Sequence, residues 1–167
     1  TEESEEEWIR ETEKGRDSVV WLIQPENLDH AIGCTSLHDI RDRSNGSFSG
    51  FVVWEKEWWR RGIASLSHIA RSWYATKQLN RYAIHSSVFS PNTGSYKALE
   101  KVGYIRTGIS PRNKVIDGVY IDTYHYTWLN PERIQILYPE GIPKEYEAQI
   151  QKARECLKKG DEYVKYI

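Results

Sequence analysis

The chain has 167 residues, 39% of them hydrophobic and 28% charged, and a formal net charge of −1. That length holds one domain with a real core and is short for two, and the balance is that of a globular rather than a disordered protein. The near-neutral charge gives no global basic field for nucleic acid, no apolar run reaches membrane-spanning length, and no charged-then-apolar leader pattern opens the chain, so a soluble cytoplasmic protein is the expectation. Cys34 and Cys156 stand far apart without metal-ligand spacing, which favours free thiols and no bound metal. There is no methionine, not even at position 1, and the chain is expected to begin inside a longer product.

In chain order, Ser4-Glu5-Glu6-Glu7 fits a capping box opening a short helix to about Lys14, its charges a solvated face. Ser18 to Ile23 reads as a strand by its β-branched and aromatic content, a second strand runs from about Ala31 to Ile40, and a third from Ser47 to about Glu55. Between the last two, Asn45-Gly46 is a strong hairpin signal, so an antiparallel meander is predicted. Ile63, Leu66, Ile69, Ala70 and Trp73 recur at helical spacing and predict a long helix to about Gln78. A strand from Arg81 to Phe89 follows, then a helix capped by Asn92 or Thr93 and stopped at Gly103 in the left-handed conformation. Two closing strands meet at Asp117-Gly118, the second running from Val119 to Trp128. Its Tyr120, Tyr124 and Tyr126 fall on one side by alternation, to line a cleft or to cover the core. Beyond Leu129, loop signals lead to an amphipathic helix through Tyr146, Ile150, Ala153 and Leu157 that ends at Gly160, either docked on the body or contacting a partner. The order of elements describes a layered α/β or α+β sheet.

The segment with most chemistry is Trp59-Arg60-Arg61-Gly62-Ile63-Ala64, where a strand gives way to the long helix. Glycine lets backbone approach a ligand, the first helical amides have no intrahelical partner, and the helix dipole favours an anion. With two arginines beside it, the junction reads as a pyrophosphate cradle for a nucleotide-bearing cofactor. Trp58 and Trp59 read as packing in preference to a clamp, and His68 and His85 lack partners at metal spacing.

Three segments in order resemble the GNAT superfamily of acyl-CoA N-acyltransferases, in its branch acting on ribosomal-protein N-termini and small amines. The first is Trp59-Arg60-Arg61-Gly62-Ile63-Ala64, where the family has Gln/Arg-x-x-Gly-x-Gly/Ala. The second is Asn92-x-x-Ser95-x-Lys97-x-Leu99-Glu100-Lys101-x-Gly103-Tyr104, and the third Asp117-Gly118-Val119-Tyr120-Ile121-Asp122 leading to Trp128. The resemblance covers about Ser18 to Asn130. It implies a mixed, mostly antiparallel central sheet flanked by helices, with an additional C-terminal helix. Residues 1–130 would form the domain, without the family's first strand and helix, and residues 131–167 an extension. The missing strand would leave an edge for a homodimer.

The resemblance also implies acetyl-CoA as co-substrate, an amine as acceptor, and direct attack of the amine on the thioester. The backbone of Arg60, Arg61, Gly62, Ile63, Ala64 and Ser65 would hold the pyrophosphate. The backbone of Val52, Val53 and Trp54 would pair with the pantetheine arm, and Asn92 and Lys97 would also serve the cofactor, Asn92 either as a helix cap or as a pantetheine partner. Ser95 would stabilise the leaving thiolate, since Leu99 stands where many relatives carry a tyrosine. For the base, Glu55 at the strand end is the first candidate and Asp122 on the last hairpin the second, Lys114 occupying the place of a glutamate found in some ribosomal-protein modifiers. Glu55 also reads as a solvated strand end. The competing function is a non-catalytic acyl-CoA-binding or interaction module.

Overall fold

Alternating apolar and polar residues build the sheet of this computed structural model, which describes residues 17–164. The helix expected over Ser4 to Lys14 lies outside the described residues. Strands β1 (Ser18–Ile23), β2 (Gly33–His38) and β3 (Gly46–Val53) form the antiparallel meander read from the sequence. Helix α1 (Ile63–Lys77) then crosses to β4 (Ala83–Phe89), which runs parallel to β3. Helix α2 (Thr93–Lys101) leads into the long antiparallel pair β5 (Ile105–Ile116) and β6 (Val119–Leu129), turned at Asp117 and Gly118, both with positive φ. The six strands lie in the order β1-β2-β3-β4-β6-β5. A short helix α3 (Ile134–Leu137) precedes the C-terminal helix α4 (Glu147–Tyr163).

The core sits between one face of the sheet and the long helices. Leu37, Ile84, Val88, Tyr126 and Trp128 from the strands meet Ile69 and Trp73 of α1, Leu99 of α2, and Ala153, Cys156 and Leu157 of α4. The C-terminal helix therefore docks on the body and shares its core. A second cluster of Ile105, Leu129, Ile134 and Ile150 seals the far end of the sheet. Cys34 and Cys156 are both buried and are not joined in a disulfide.

Two local expectations are corrected. Asn45-Gly46 does not form a two-residue hairpin. Its place is taken by a loop from Asp39 to Asn45, with His38 opposite Phe48. The buried guanidinium of Arg81 organises that loop by donating to the carbonyls of Ile40 (2.7 Å), Asp42 (2.7 Å) and Gly46 (2.8 Å), an arrangement stronger than local turn preference. Gly160 likewise does not end α4, which continues to Tyr163. It is needed for close approach: a Cβ there would stand 2.6 Å from Cδ1 of Trp73, whose Nε1 donates to Asp161 Oδ1 at 2.8 Å.

Gly103 does stop α2 with φ +104, and a Cβ there would meet the backbone N of Ala153 at 2.6 Å. In a free helix Gly160→Ala would gain about 1 kcal/mol from propensity, but overpacking against an indole costs about 1–3 kcal/mol. We expect Gly160→Ala to lower the denaturant midpoint, and Gly103→Ala to lower it further because backbone blocks the new methyl. A raised midpoint in either variant would contradict this packing.

Candidate functional site

The site follows from where the parallel pairing stops. β3 and β4 pair only through Gly46↔Ala83, Ser47↔Ile84 and Phe48↔His85. The Ser49 hydroxyl donates to the His85 carbonyl at 3.1 Å and closes the joint. Beyond it β3 stays with β2 to Val53, and β4 stays with β6 to Phe89. The two strands thus separate towards their carboxyl ends. Because they are parallel, both ends lie on one edge of the sheet, where α1 and α2 also begin. That is the usual place for a ligand in an open α/β sheet.

The start of α1 is left open to an anion. Gly62 occupies the cap position at φ +83 with no side-chain cap, and Arg60 precedes it at φ +63. The first helical hydrogen bond runs from the Leu66 amide to the Gly62 carbonyl at 3.1 Å. The amides of Ile63, Ala64 and Ser65 therefore have no intrahelical acceptor. A Cβ at Gly62 would meet nothing within 4 Å. Arg61 lies over the Trp58 ring at 5.0 Å, which holds one of the two flanking cations in place.

On the β3 side, the Trp54 amide donates to the Ile32 carbonyl at 3.1 Å, on the side of β2. Strand alternation then turns the backbone groups of Val53 and Phe51 towards the opening, and those of Val52 and Trp54 towards β2. The Val53 carbonyl is already taken by Trp59 Nε1 at 2.9 Å. Of the three residues expected to offer backbone to a pantetheine arm, Val53 is thus the one placed at the free edge, joined there by Phe51.

Across the opening, Asn92 caps α2, its Oδ1 accepting from the Ser95 amide at 3.1 Å. The Ser95 hydroxyl lies half-buried in the first turn of the same helix. Lys97 is exposed two residues further on, and Leu99 is in the core. Asp122 lies beside the end of β4: its carbonyl accepts from the Ser90 amide at 2.9 Å, and its Oδ1 accepts from the Arg112 amide at 2.9 Å. Glu55 is at the end of β3, its Oε1 2.9 Å from His30 Nε2, while His30 Nδ1 lies 3.2 Å from Asp29 Oδ1. Glu55, just past the end of β3, and Asp122, beside the end of β4, thus stand at the edge where α1 and α2 begin, each already holding a partner, whereas the backbone groups of Val52 and Trp54 face β2.

Beneath the opening is a group that sequence reading did not find. Arg71 of α1 is buried with no carboxylate partner among the described residues. Its Nη1 donates to Thr35 Oγ1 and the Gly50 carbonyl, both at 2.9 Å, and its Nη2 bonds His68 Nδ1 at 2.9 Å and the Tyr104 hydroxyl at 3.1 Å. Arginine only donates, so His68 accepts at Nδ1 and is the neutral Nε2–H tautomer. Burial, and then the neighbouring guanidinium, push its pKa well below the usual histidine value. This network ties α1 to β2, β3 and the start of β5 directly below the separated strands. His30 was also missed. A tight Asn45-Gly46 turn would have set Glu55 opposite Ser36, whereas the observed register brings it level with the loop carrying His30.

Residues 1–105 match the model of the acetyltransferase (GNAT) domain. The chain is 32% identical over 105 residues to a probable N-acetyltransferase, YjcK, of Bacillus subtilis, an alignment spanning 62% of this chain and 58% of that protein's length. Among solved structures, the spermidine N-acetyltransferase of Vibrio cholerae in complex with CoA and spermine superposes with a TM-score of 0.67 at 18% identity, covering 77% of this chain and 75% of its own. The ribosomal-protein-S5-alanine acetyltransferase of Vibrio fischeri gives 0.64 at 20% identity, covering 74% and 67%. At such identities these structures speak to the fold.

The Glu55–His30 pair carries a pH signature. Hydrogen bonds that His30 donates to Asp29 first, then to Glu55, raise its pKa above the ordinary 6.5. A raised histidine favours the folded state fully below about pH 6.5 and loses that contribution as pH rises through its folded value. In an NMR titration His30 should show a pKa above 6.5, and Glu55→Gln should lower it part of the way, Asp29 sustaining the rest. An unchanged value in the variant would exclude the pair in solution.

Proposed function

The chain belongs to the GNAT acetyltransferase domain family, and on that basis we propose that it is an N-acetyltransferase, moving an acetyl group from acetyl-CoA to a primary amine by direct attack. The acceptor is a small-molecule amine or a protein N-terminus. The observation that carries the reading is the conjunction at one edge of the sheet of the separated β3 and β4 with the uncapped start of α1. A strand edge can bind an extended amide-bearing arm by backbone pairing, and three free amides at a helix start can bind its pyrophosphate.

In this reading the amides of Ile63, Ala64 and Ser65 hold the pyrophosphate, with Arg60 and Arg61 adding positive charge, and the edge of β3 at Phe51 and Val53 holds the arm. Asn92, with Oδ1 spent on its cap, keeps its amide NH2 for the arm. The exposed ammonium of Lys97 adds charge on the α2 side. The thioester supplies the electrophilic carbonyl. The amine nitrogen forms a bond to that carbon as the carbon–sulfur bond breaks, and the Ser95 hydroxyl at the positive end of α2 donates to the departing sulfur. The attacking ammonium must first lose a proton. Glu55, directly or through a water, is the first acceptor for it, and Asp122 the second.

Two of the solved neighbours are described as acting on spermidine and on a ribosomal protein, which defines the acceptor classes to test first. Incubation with acetyl-CoA, polyamines and N-terminal peptides should release free CoA with mass gain on one acceptor class. Tight CoA binding without turnover on any amine would favour a non-catalytic module. Gly62→Asp is the site-directed check: the position is open and aspartate tolerates positive φ, so the fold should keep its melting temperature. CoA affinity should fall at least about tenfold, roughly 1.4 kcal/mol, through repulsion and bulk at the cradle. Unchanged affinity would remove the cradle from the account.

A further inference from the structure

A groove of about 250 Å³ opens beside the cradle, between the first turns of α1, the end of α2 and the outer face of α4. Gly62 and Ser65 border it, so it is continuous with the free amides. That volume lies just under the range of about 300–1,000 Å³ for whole small-molecule sites, a size suited to one end of a longer ligand. Its floor is apolar, from Ile69, Val102 and Cys156. Burial pushes the Cys156 thiol up to about 12, so the floor carries no negative charge.

The walls are cationic. Lys101 from α2, with Lys152 and Lys159 from α4, faces the groove against the single carboxylate of Glu155. None of these lysines takes part in the ion pairs formed among the described residues. Lys152 Nζ reaches the Glu100 carbonyl at 3.5 Å and has two further protons to offer. Seven residues separate Lys152 from Lys159, which puts them on one face of α4 about 10.5 Å apart along its axis. Helix α4 lies wholly outside the segment matched by the family model.

We propose that α4 builds a second anion site for the cofactor: the groove takes the phosphorylated adenosine end of CoA, and Lys152 and Lys159, with Lys101, select its 3′-phosphate. This rests on the acyl-CoA reading of the cradle. The pyrophosphate held at Ser65 leaves the adenosine at the mouth of the groove, and a phosphate there meets three ammonium groups that stand outside the ion pairs of the described residues. The C-terminal helix then has two roles, packing its inner face into the core and binding charge with its outer face.

The test compares binding of CoA and 3′-dephospho-CoA by calorimetry. The wild-type chain should bind CoA about tenfold or more tightly, as charge-assisted contacts require. The double variant Lys152→Glu/Lys159→Glu should lose that preference while its affinity for 3′-dephospho-CoA stays within about twofold of wild type. Lys158→Glu, exposed on the same helix away from the groove, should keep the preference and controls for a charge reversal on α4 outside the groove. A double variant that retains the preference, or that loses affinity for both ligands equally, overturns the inference. Wild type that binds both alike overturns it while leaving the acyl-CoA reading intact, and wild type that binds neither overturns both.

Discussion

Everything at the candidate site depends on the abandonment of sheet pairing between β3 and β4 after three residues. An unmade backbone hydrogen bond costs about 1–3 kcal/mol when its groups are also denied water, so the separation has to be held open. Two side chains satisfy groups at the break: Ser49 closes the last joint and Trp59 covers the Val53 carbonyl. Arg71 ties α1 to β3 at the Gly50 carbonyl, on the β2 side, and is the costliest of the three, a buried guanidinium with no carboxylate partner among the described residues. It is tolerated because four acceptors surround it, one of them a histidine kept neutral by the same burial.

The two helices that start at this edge are treated differently. At α2 the Asn92 side chain satisfies the third amide. At α1 the cap position is a glycine, which leaves three amides to the solvent or to a ligand. Replacing a good cap with glycine costs only a few tenths of a kcal/mol, a small loss for a site that binds phosphate through backbone. The same edge therefore carries one closed helix start, with the Ser95 hydroxyl beside it, and one open start flanked by arginines. That asymmetry separates a place for the sulfur end of a cofactor from a place for its phosphates.

Much of this could be read from the sequence because it is local. The strand-to-helix junction at Gly62, the Asn92 cap, the Gly103 stop and the Asp117-Gly118 turn each depend on a few adjacent residues, and all four stand where the pattern put them. What could not be read depends on pairing across distance. Asn45-Gly46 looked like a tight turn, but Arg81, far along the chain, holds three carbonyls of a wider loop and shifts the register of β2 on β3. That shift is what brings His30 to Glu55. Gly160 looked like a helix stop because its real reason, the Trp73 ring, lies on another helix. Arg71 sits among the polar residues of an amphipathic helix, and nothing in its spacing marks it as buried.

The central claim is that the open edge of β3 and the uncapped start of α1 form one bed for a CoA molecule. Titrating the 15N-labelled chain with CoA and following its backbone amide resonances tests it most directly. The account predicts the largest shifts at Ile63, Ala64 and Ser65, with Phe51 and Val53 moving along the same binding curve. Saturable binding that leaves these five amides unmoved, with the shifts gathered elsewhere in the molecule, would contradict it.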